Sequence, residues 1–480
     1  MNVRTSQANS GLSQSGLSRF LGVVASLAAA AGLVLGCSSS TTPGLGTNIS
    51  SAAITVPVLI TDAPSDQLVS FSLTLNSIVL TDTAGNTASI LPSATTIEIC
   101  HLNGVQAPLV TASIPADTYT SATFTFSNPA ITYINSSGVA VVATPTLTTT
   151  TYKLTFPTPI TVSNSSTSLL VDLLAGQSVN ISGTTVTVTP IFSLKPLPAA
   201  SAVPPTSQNG TGMQQMATVV SVSGTSVVLQ PGSGADFTVT TNSSTLLQGF
   251  SSLSALTAGE LVQVDFIVQS GGVYLATRIQ LVTPTPTGQP PVNLLSGPVT
   301  KVSTGSFNMV LMQGLGPAVA PTATAAASVF TVTDTGATFA ITPQFVSLAG
   351  LPFTPTFTAA NLVAGQAVGV VASSVTGSTA VASNVYLVPQ TIGGTVTAVA
   401  TSGSWTAYTL TLNSGSAFSS LSGATTVTVY TNTATAPPPG VTAPPAIVAG
   451  SAVRFNGLIF NTGSGFAMVA GCSPDGAPGV

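Results

Sequence analysis

The sequence predicts an all-β protein built from several domains, and three observations support this class. Val, Thr and Ile recur in short alternating runs such as VSFSLTL at residues 69–75, the period-2 pattern of half-buried strands. The 44 Gly and 34 Pro residues between such runs supply turns. Only 4% of the residues are charged, so the helix formers Glu, Lys and Arg are scarce. The length of 480 residues exceeds one hydrophobic core and predicts three or four domains.

The first 36 residues have the parts of an export signal. Arg4 and Arg19 provide positive charge, and the apolar stretch FLGVVASLAAAAGLVL follows at residues 20–35. This stretch is shorter than a helix that spans a bilayer, and no positive cluster follows it to stop transfer. Residues 1–36 are therefore predicted to be a removable leader.

The sequence VLGC at residues 34–37 resembles the lipobox of bacterial lipoproteins, with Leu35 in place of the more usual small residue. The resemblance implies cleavage between Gly36 and Cys37 and a lipid on Cys37, with acyl chains such as palmitate. Residues 37–51 then form a flexible tether, and Ser38 resembles the outer-membrane sorting position of Gram-negative lipoproteins. We expect a lipid anchor in the outer membrane, with the protein facing the periplasm or the cell surface. The alternative is an ordinary secretory signal that happens to contain a cysteine.

Residues 52–198 are predicted to form one β-sandwich-like domain. Three features mark the block: the turn TDAPSD at residues 61–66, the turn IPADTY at residues 114–119, and a late strand at 169–173 that precedes Pro190 and Ile191. These features resemble a bacterial family known as domain of unknown function 4382. Asp117 stands where the family usually has Gly, and Asp tolerates left-handed conformations. The resemblance implies a fold and no activity, because the family has none assigned.

An internal repeat follows a Pro-, Ser- and Gly-rich stretch at residues 196–215. Three segments, at 256–262, 362–368 and 447–453, share an Ala-Gly turn that leads into a Val-containing strand. Each follows a V-x-x-V strand and precedes a closing strand. This pattern predicts three small β-barrels at residues 216–283, 296–389 and 392–473. It resembles domain of unknown function 5666, which implies oligonucleotide-fold-like barrels and no particular ligand.

The few basic side chains argue against a nucleic-acid partner. Once the leader is removed, five remain, which is too few for a surface that neutralises a phosphate backbone. They are Lys153, Lys195, Arg278, Lys301 and Arg454.

Titratable residues are also too few for an enzyme of any standard kind. The single histidine, His101, follows Cys100, and adjacent residues of a strand point to opposite faces, which disfavours a Cys–His pair. We therefore expect no catalytic residues and no cofactor. A distant alternative is an extracytoplasmic enzyme, which requires Asp62, Asp66 and His101, with or without Asp172, to converge in one cleft. Whether Cys100 pairs with Cys472 is left open.

Two other kinds of site are weighed against structural explanations. Asp62 and Asp66 flank a Pro turn and Asp82 ends a later strand, so their oxygens could bind a metal such as Ca²⁺ or accept hydrogen bonds from turn amides. Trp405 and Tyr408 could stack on a sugar, or could be buried as aromatic rings in barrels usually are.

The leading function is a non-catalytic, lipid-anchored protein of the cell envelope. A string of β-domains would serve as a spacer, or as a binding module for proteins or polysaccharide. The alternative is a surface adhesin or carbohydrate-binding lipoprotein, which would show an exposed aromatic row on one barrel.

Overall fold

A computed structural model describes residues 53–63, 65–102, 106–163, 167–199, 212–232, 235–282, 293–316, 318–319, 328–342, 348–413, 415–432 and 446–470. Gly36, Cys37 and Cys472 lie outside these ranges. The described residues are mostly β-strand, as predicted. Their helices are the short segments Ala175–Ser178 and Ala417–Ser422, with single 3₁₀ turns at Cys100–Leu102, Leu253–Ala255 and Ser270–Gly272. None of these described helices is long and apolar enough to cross a bilayer.

Thirteen strands in the described residues between 53 and 198 form the first domain. They are β1 (Ala53–Ala63), β2 (Leu68–Asp82), β3 (Thr87–Leu91), β4 (Thr95–Glu98), β5 (Ala107–Pro115), β6 (Asp117–Ile134), β7 (Ala140–Ala143), β8 (Thr146–Leu147), β9 (Thr151–Val162), β10 (Thr167–Leu174), β11 (Val179–Ser182), β12 (Thr185–Val188) and β13 (Phe192–Pro198). One open sheet has the order β13-β10-β1-β5, and a second has the order β3-β2-β6-β7 with β4 beside β2 and β9 beside β6. A small third sheet has the order β11-β12-β8.

The two larger sheets share one hydrophobic core. Alternate residues of each strand point into it because side chains of a strand alternate between faces. Val58 of β1, Leu73 of β2 and Phe124 of β6 are fully buried there. Phe124 stacks on Phe192 of β13 with 4.5 Å between ring centroids. The opposite face of the first sheet is covered too, since Leu59 and Leu170 pack into the core of the next domain.

The remaining strands form three barrels. They are β14 (Gly212–Ser223), β15 (Ser226–Pro231), β16 (Phe237–Thr240), β17 (Leu246–Gln248), β18 (Leu261–Gln269) and β19 (Val273–Leu281) in the first barrel; β20 (Asn293–Ser303), β21 (Ser306–Val310), β22 (Gln313–Leu315), β23 (Val329–Thr333), β24 (Thr338–Ile341), β25 (Ala367–Thr376) and β26 (Thr379–Leu387) in the second; and β27 (Gln390–Ser402), β28 (Trp405–Leu412), β29 (Thr426–Asn432), β30 (Ala452–Asn461) and β31 (Phe466–Ala470) in the third.

The three barrels close in the same way. Their five-stranded rings run β14-β15-β16-β19-β18, β20-β21-β23-β26-β25 and β27-β28-β29-β31-β30. In each ring, in the order written, the third and fourth strands are parallel and every other neighbouring pair is antiparallel. The predicted class, an all-β chain with three small barrels after a first β-domain, is confirmed. The five-stranded barrel is also the form that the oligonucleotide fold takes.

The Ala-Gly turn of the sequence repeat occupies one equivalent point in each barrel. The N–H of Gly259, Gly365 or Gly450 donates to the carbonyl oxygen of the first Val of the barrel, at 2.8, 2.7 and 2.8 Å. That Val returns a hydrogen bond to the carbonyl of the residue after the glycine. The glycines have φ values of +91°, +96° and +91°, a conformation that costs an L-residue energy. The Vals are Val219, Val299 and Val396.

The four domains contact one another. The backbone carbonyl of Asp66, in the first domain, accepts a hydrogen bond from the N–H of Ala417 in the third barrel at 2.5 Å. Leu261 of the first barrel packs with Leu294 of the second. The domains therefore pack against one another, because apolar and polar residues on their outer faces are buried at these junctions.

Candidate functional site

A cavity of about 200 Å³ lies where the four domains meet. Each domain contributes polar side chains to its wall. Asp66 and His101 come from the first domain, Gln263 from the first barrel, Gln313 from the second and Asn456 from the third. The sequence does not reveal this cavity, because its wall is assembled from residues that are far apart in the chain.

Apolar side chains complete the wall. Leu68 and Val69 begin strand β2, Met216 comes from β14, Met312 precedes β22, and Phe418 lies in the helix Ala417–Ser422. Leu68, Val69 and Phe418 are buried. An apolar wall with a few convergent polar groups is the usual composition of a small-molecule site.

Asp66 joins the first domain to the third barrel beside this cavity. Its Oδ2 accepts a hydrogen bond from Asn413 Nδ2 at 2.5 Å, and its Oδ1 lies 3.7 Å from a guanidinium nitrogen of Arg454. Gly393 permits this approach, because a Cβ there would lie 2.8 Å from Asp66 Oδ2. The charge of Asp66 is therefore compensated at the interface.

Two glutamines join the second barrel to the third. Gln390 Oε1 accepts from the N–H of Ala367 at 2.5 Å, and its Nε2 donates to the carbonyl of Gly365 at 3.0 Å. Gln366 is fully buried and donates through Nε2 to the carbonyl of Ile459 at 2.9 Å. These bonds satisfy buried backbone groups across the junction.

Glu98 is a buried carboxylate that organises the first-domain side of the cavity. It accepts hydrogen bonds from the N–H groups of Phe71, Cys100 and His101, at 3.0, 3.2 and 2.8 Å, and from Ser70 Oγ at 3.1 Å. Its Oε2 also lies 3.1 Å from His101 Nδ1, which fixes the orientation of the imidazole. We did not predict this role, although the position of Glu98 between Ile97 and Ile99 is a visible signal.

Cys100 lines the cavity next to His101. Burial raises the pKa of the Cys100 thiol well above its usual range, and the carboxylate of Glu98 raises it further. A thiol with a raised pKa stays protonated and is a poor nucleophile. Cys100 has no disulfide partner among the described residues. The imidazole of His101 is engaged with Glu98 rather than with this thiol.

Of the four residues that the enzyme alternative brings together in one cleft, only two lie at the cavity. Asp66 and His101 both line the cavity. Asp62 is 5% exposed and faces the core of the first domain, on the same side of β1 as Val58. Asp172 pairs with Thr61 in the parallel register of β1 and β10, so it points to the other face of that sheet. Burial raises the pKa of Asp62 well above its usual range, with a further increase from Asp172.

The three candidate metal ligands do not form one site. Asp66 lies just before β2 and Asp82 ends it, and a strand of this length places its ends roughly 45 Å apart. Asp82 instead accepts hydrogen bonds from the N–H groups of Ala84 and Asn86, both at 2.8 Å, and from Asn86 Nδ2. The Asn86 side chain is the main cause of the lowered pKa of Asp82. Among the described residues, no group of three His, Cys, Asp or Glu side chains is placed to hold a metal.

Trp405 and Tyr408 do not present a stacking face. Trp405 is fully buried in a hydrophobic cluster that the second and third barrels share, and its Nε1 donates to the carbonyl of Ala349 at 3.4 Å. Tyr408 is half-buried and packs on Phe455, with 5.6 Å between ring centroids. Both rings stabilise the barrels instead.

Two segments of the chain match known families. Residues 54–196 match the family described as domain of unknown function DUF4382, and residues 217–280 match the family described as domain of unknown function DUF5666. These segments coincide with the first domain and the first barrel. Neither description carries an activity. The chain has no match among curated proteins.

Proposed function

We propose that this chain is a non-catalytic, lipid-anchored binding protein of the bacterial cell envelope, and that the junction cavity is its binding site. The observation that carries the proposal is the composition of the cavity wall, to which all four domains contribute. A wall assembled from four domains gives a ligand many contacts at once, and packed domains hold those contacts in place before binding.

The chemistry at the wall favours binding over catalysis. The pKa of the Cys100 thiol is raised, His101 is held by Glu98, and Asp66 is engaged with Asn413 and Arg454. A thiol that stays protonated is a poor nucleophile, so Cys100 is not activated for attack. The sugar-stacking adhesin gains little support, because the exposed large apolar side chains among the described residues are Val and Leu.

The anchor and the outer-membrane location are part of the same proposal. They rest on the export-type leader and on the lipobox-like VLGC sequence that ends at Cys37. We further propose that the second and third barrels are relatives of the first. Their shared strand order and the equivalent hydrogen bonds at Gly259, Gly365 and Gly450 support this relation.

Anchoring is tested by metabolic labelling with palmitate in Gram-negative cells. The full chain should carry the label and fractionate with the outer membrane, because several buried acyl chains hold a protein in a bilayer. The Cys37→Ser variant should carry no label. Equal labelling of the two proteins would overturn the lipid anchor.

Binding is tested by native mass spectrometry of the full chain purified from the same cells. We expect a small-molecule adduct on the wild-type chain and none on Met216→Trp, whose larger ring fills the cavity. Val220→Trp is the matched control, because Val220 lies on the same strand and is 40% exposed. An adduct that survives in Met216→Trp, or no adduct on the wild-type chain, would contradict binding in this cavity.

A further inference from the structure

We infer that the junction cavity takes a neutral, amide-bearing ligand of the size of one sugar, and that its chemistry fits an acetamido sugar. This inference rests on the proposed binding function. The first argument is size: about 200 Å³ accommodates one pyranose ring with a small substituent.

Gln263 is the polar group that most clearly points to a ligand. Its side chain lines the cavity and is 7% exposed. No other described residue makes a hydrogen bond with its side-chain amide, and the strand pairing of Gln263 with Met216 and Gln280 leaves that amide at the cavity wall. The Gln263 amide therefore lies where a ligand in the cavity can reach it. A ligand that supplies both an acceptor and a donor would satisfy it.

Other polar groups of the wall also have unused capacity. Gln313 lies half-buried at the edge of the second barrel and has no side-chain partner among the described residues. In His101, Nδ1 lies 3.1 Å from Glu98 Oε2, which leaves the second ring nitrogen, Nε2, for a hydrogen bond with a ligand. Together these groups match a molecule that carries an amide and hydroxyls.

The charges around the cavity argue for a neutral ligand. Asp66 is compensated by Asn413 and Arg454, and Glu98 accepts several hydrogen bonds. A charged ligand would lose hydration here without gaining an opposite charge. The thioethers of Met216 and Met312 and the methyl groups of Val388 provide apolar contacts that suit the methyl group of an acetamide.

The test compares four probe sugars by isothermal titration calorimetry on the full chain in detergent. N-acetylglucosamine is the expected ligand. Glucose lacks the amide, glucosamine is a cation, and N-acetylmuramic acid is an anion. We expect N-acetylglucosamine to bind at least tenfold more tightly than each of the other three. Equal or tighter binding of glucose, or of either charged sugar, would overturn the inference.

Gln263→Leu should weaken binding of N-acetylglucosamine about tenfold or more, because the amide contact is lost. Gln280→Leu is the matched control: Gln280 pairs with Gln263 in the strand register and is 8% exposed, yet it does not line the cavity. Equal losses of affinity in the two variants would contradict the assignment of Gln263 as a contact of the ligand. If Gln263→Leu does not fold, Gln313→Leu takes its place with the same expected loss.

The outcomes also separate this inference from the proposed function. If none of the four sugars binds while the wild-type chain keeps an adduct that Met216→Trp loses, the ligand class is wrong and the binding function stands. If no sugar binds and no adduct is found on the wild-type chain, both the ligand class and the proposed binding function are wrong.

Discussion

At the scale of single residues, Tyr119 explains the sequence IPADTY before β6. Its ring is 2% exposed in the core of the first domain, and its hydroxyl donates to the carbonyl of Pro115 at 2.8 Å. The hydroxyl thus closes the turn that leads into β6, as a tyrosine corner does in other β-sandwiches. Burial raises the pKa of Tyr119 to about 12, so the phenol remains a neutral donor at physiological pH.

Tyr119→Phe should destabilise the first domain by about 1 kcal/mol, because the carbonyl of Pro115 loses a buried partner. The midpoint of urea denaturation, followed by circular dichroism, measures the change. Tyr408→Phe is the control, since the Tyr408 ring is half-buried and packs on Phe455. Equal shifts in the two variants would show that the hydroxyl of Tyr119 adds no specific stability.

Asp62 should make the stability of the protein depend on pH. Burial and the neighbouring Asp172 raise its pKa in the folded state, so the folded protein binds this proton more tightly than the unfolded chain. Stability then falls as the pH rises from the unfolded value of about 4 through the raised folded pKa. The amide of Asn cannot ionise and removes this loss.

We therefore expect Asp62→Asn to raise the melting temperature at pH 7–8, with a gain that disappears toward pH 4. Differential scanning fluorimetry across this range measures the effect. Asp236→Asn, at an exposed position, should leave the pH profile unchanged. A lower melting temperature of Asp62→Asn at neutral pH would mean that the carboxylate makes a stabilising interaction in its charged form.

At the scale of elements, the repeated Ala-Gly turn provides an internal comparison. Ala at Gly259, Gly365 or Gly450 should cost about 1–2 kcal/mol from the positive φ alone. Position 365 carries a further penalty, because a Cβ there would lie 2.9 Å from the Phe418 ring. At Gly259 and Gly450 nothing lies within 4 Å of such a Cβ.

Gly365→Ala should therefore lower the denaturation midpoint more than Gly450→Ala does, and should make the helix Ala417–Ser422 more sensitive to proteolysis. Limited proteolysis with peptide mapping detects the second effect. The same midpoint and the same cleavage pattern in both variants would show that the second and third barrels do not press against each other at Phe418.

Strands and their grouping into barrels follow from local sequence, and the role of Trp405 does not. Alternation and the spacing of the Ala-Gly turns predict three barrels because both signals lie within each unit. Trp405 begins β28 in the third barrel, and the loop that contains Ala349 in the second barrel covers it. This contact joins residues 56 positions apart, so it leaves no local pattern. The sequence around Trp405 therefore does not distinguish a buried ring from an exposed one.

At the scale of the whole molecule, polar residues on the outer faces of the strands show the same limit. Gln263 and Gln280 occupy positions that resemble solvent-exposed strand sites in the sequence, yet they are 7% and 8% exposed. Gln263 lies in the wall of the cavity between the domains. Asp66 and Asn413 are 347 positions apart and meet at 2.5 Å. The cavity depends on such contacts. The sequence therefore predicts the individual domains, but it does not predict the contacts between them that form the cavity.

The packing of the four domains around one cavity is tested most directly by small-angle X-ray scattering of residues 37–480 with Cys37→Ser. A compact body of this length has a radius of gyration of about 22 Å. We predict a value of about 22–25 Å and a single-peaked pair-distance distribution. A radius well above about 30 Å, with a long tail in that distribution, would mean that the domains form an extended string and that the junction cavity does not exist in solution.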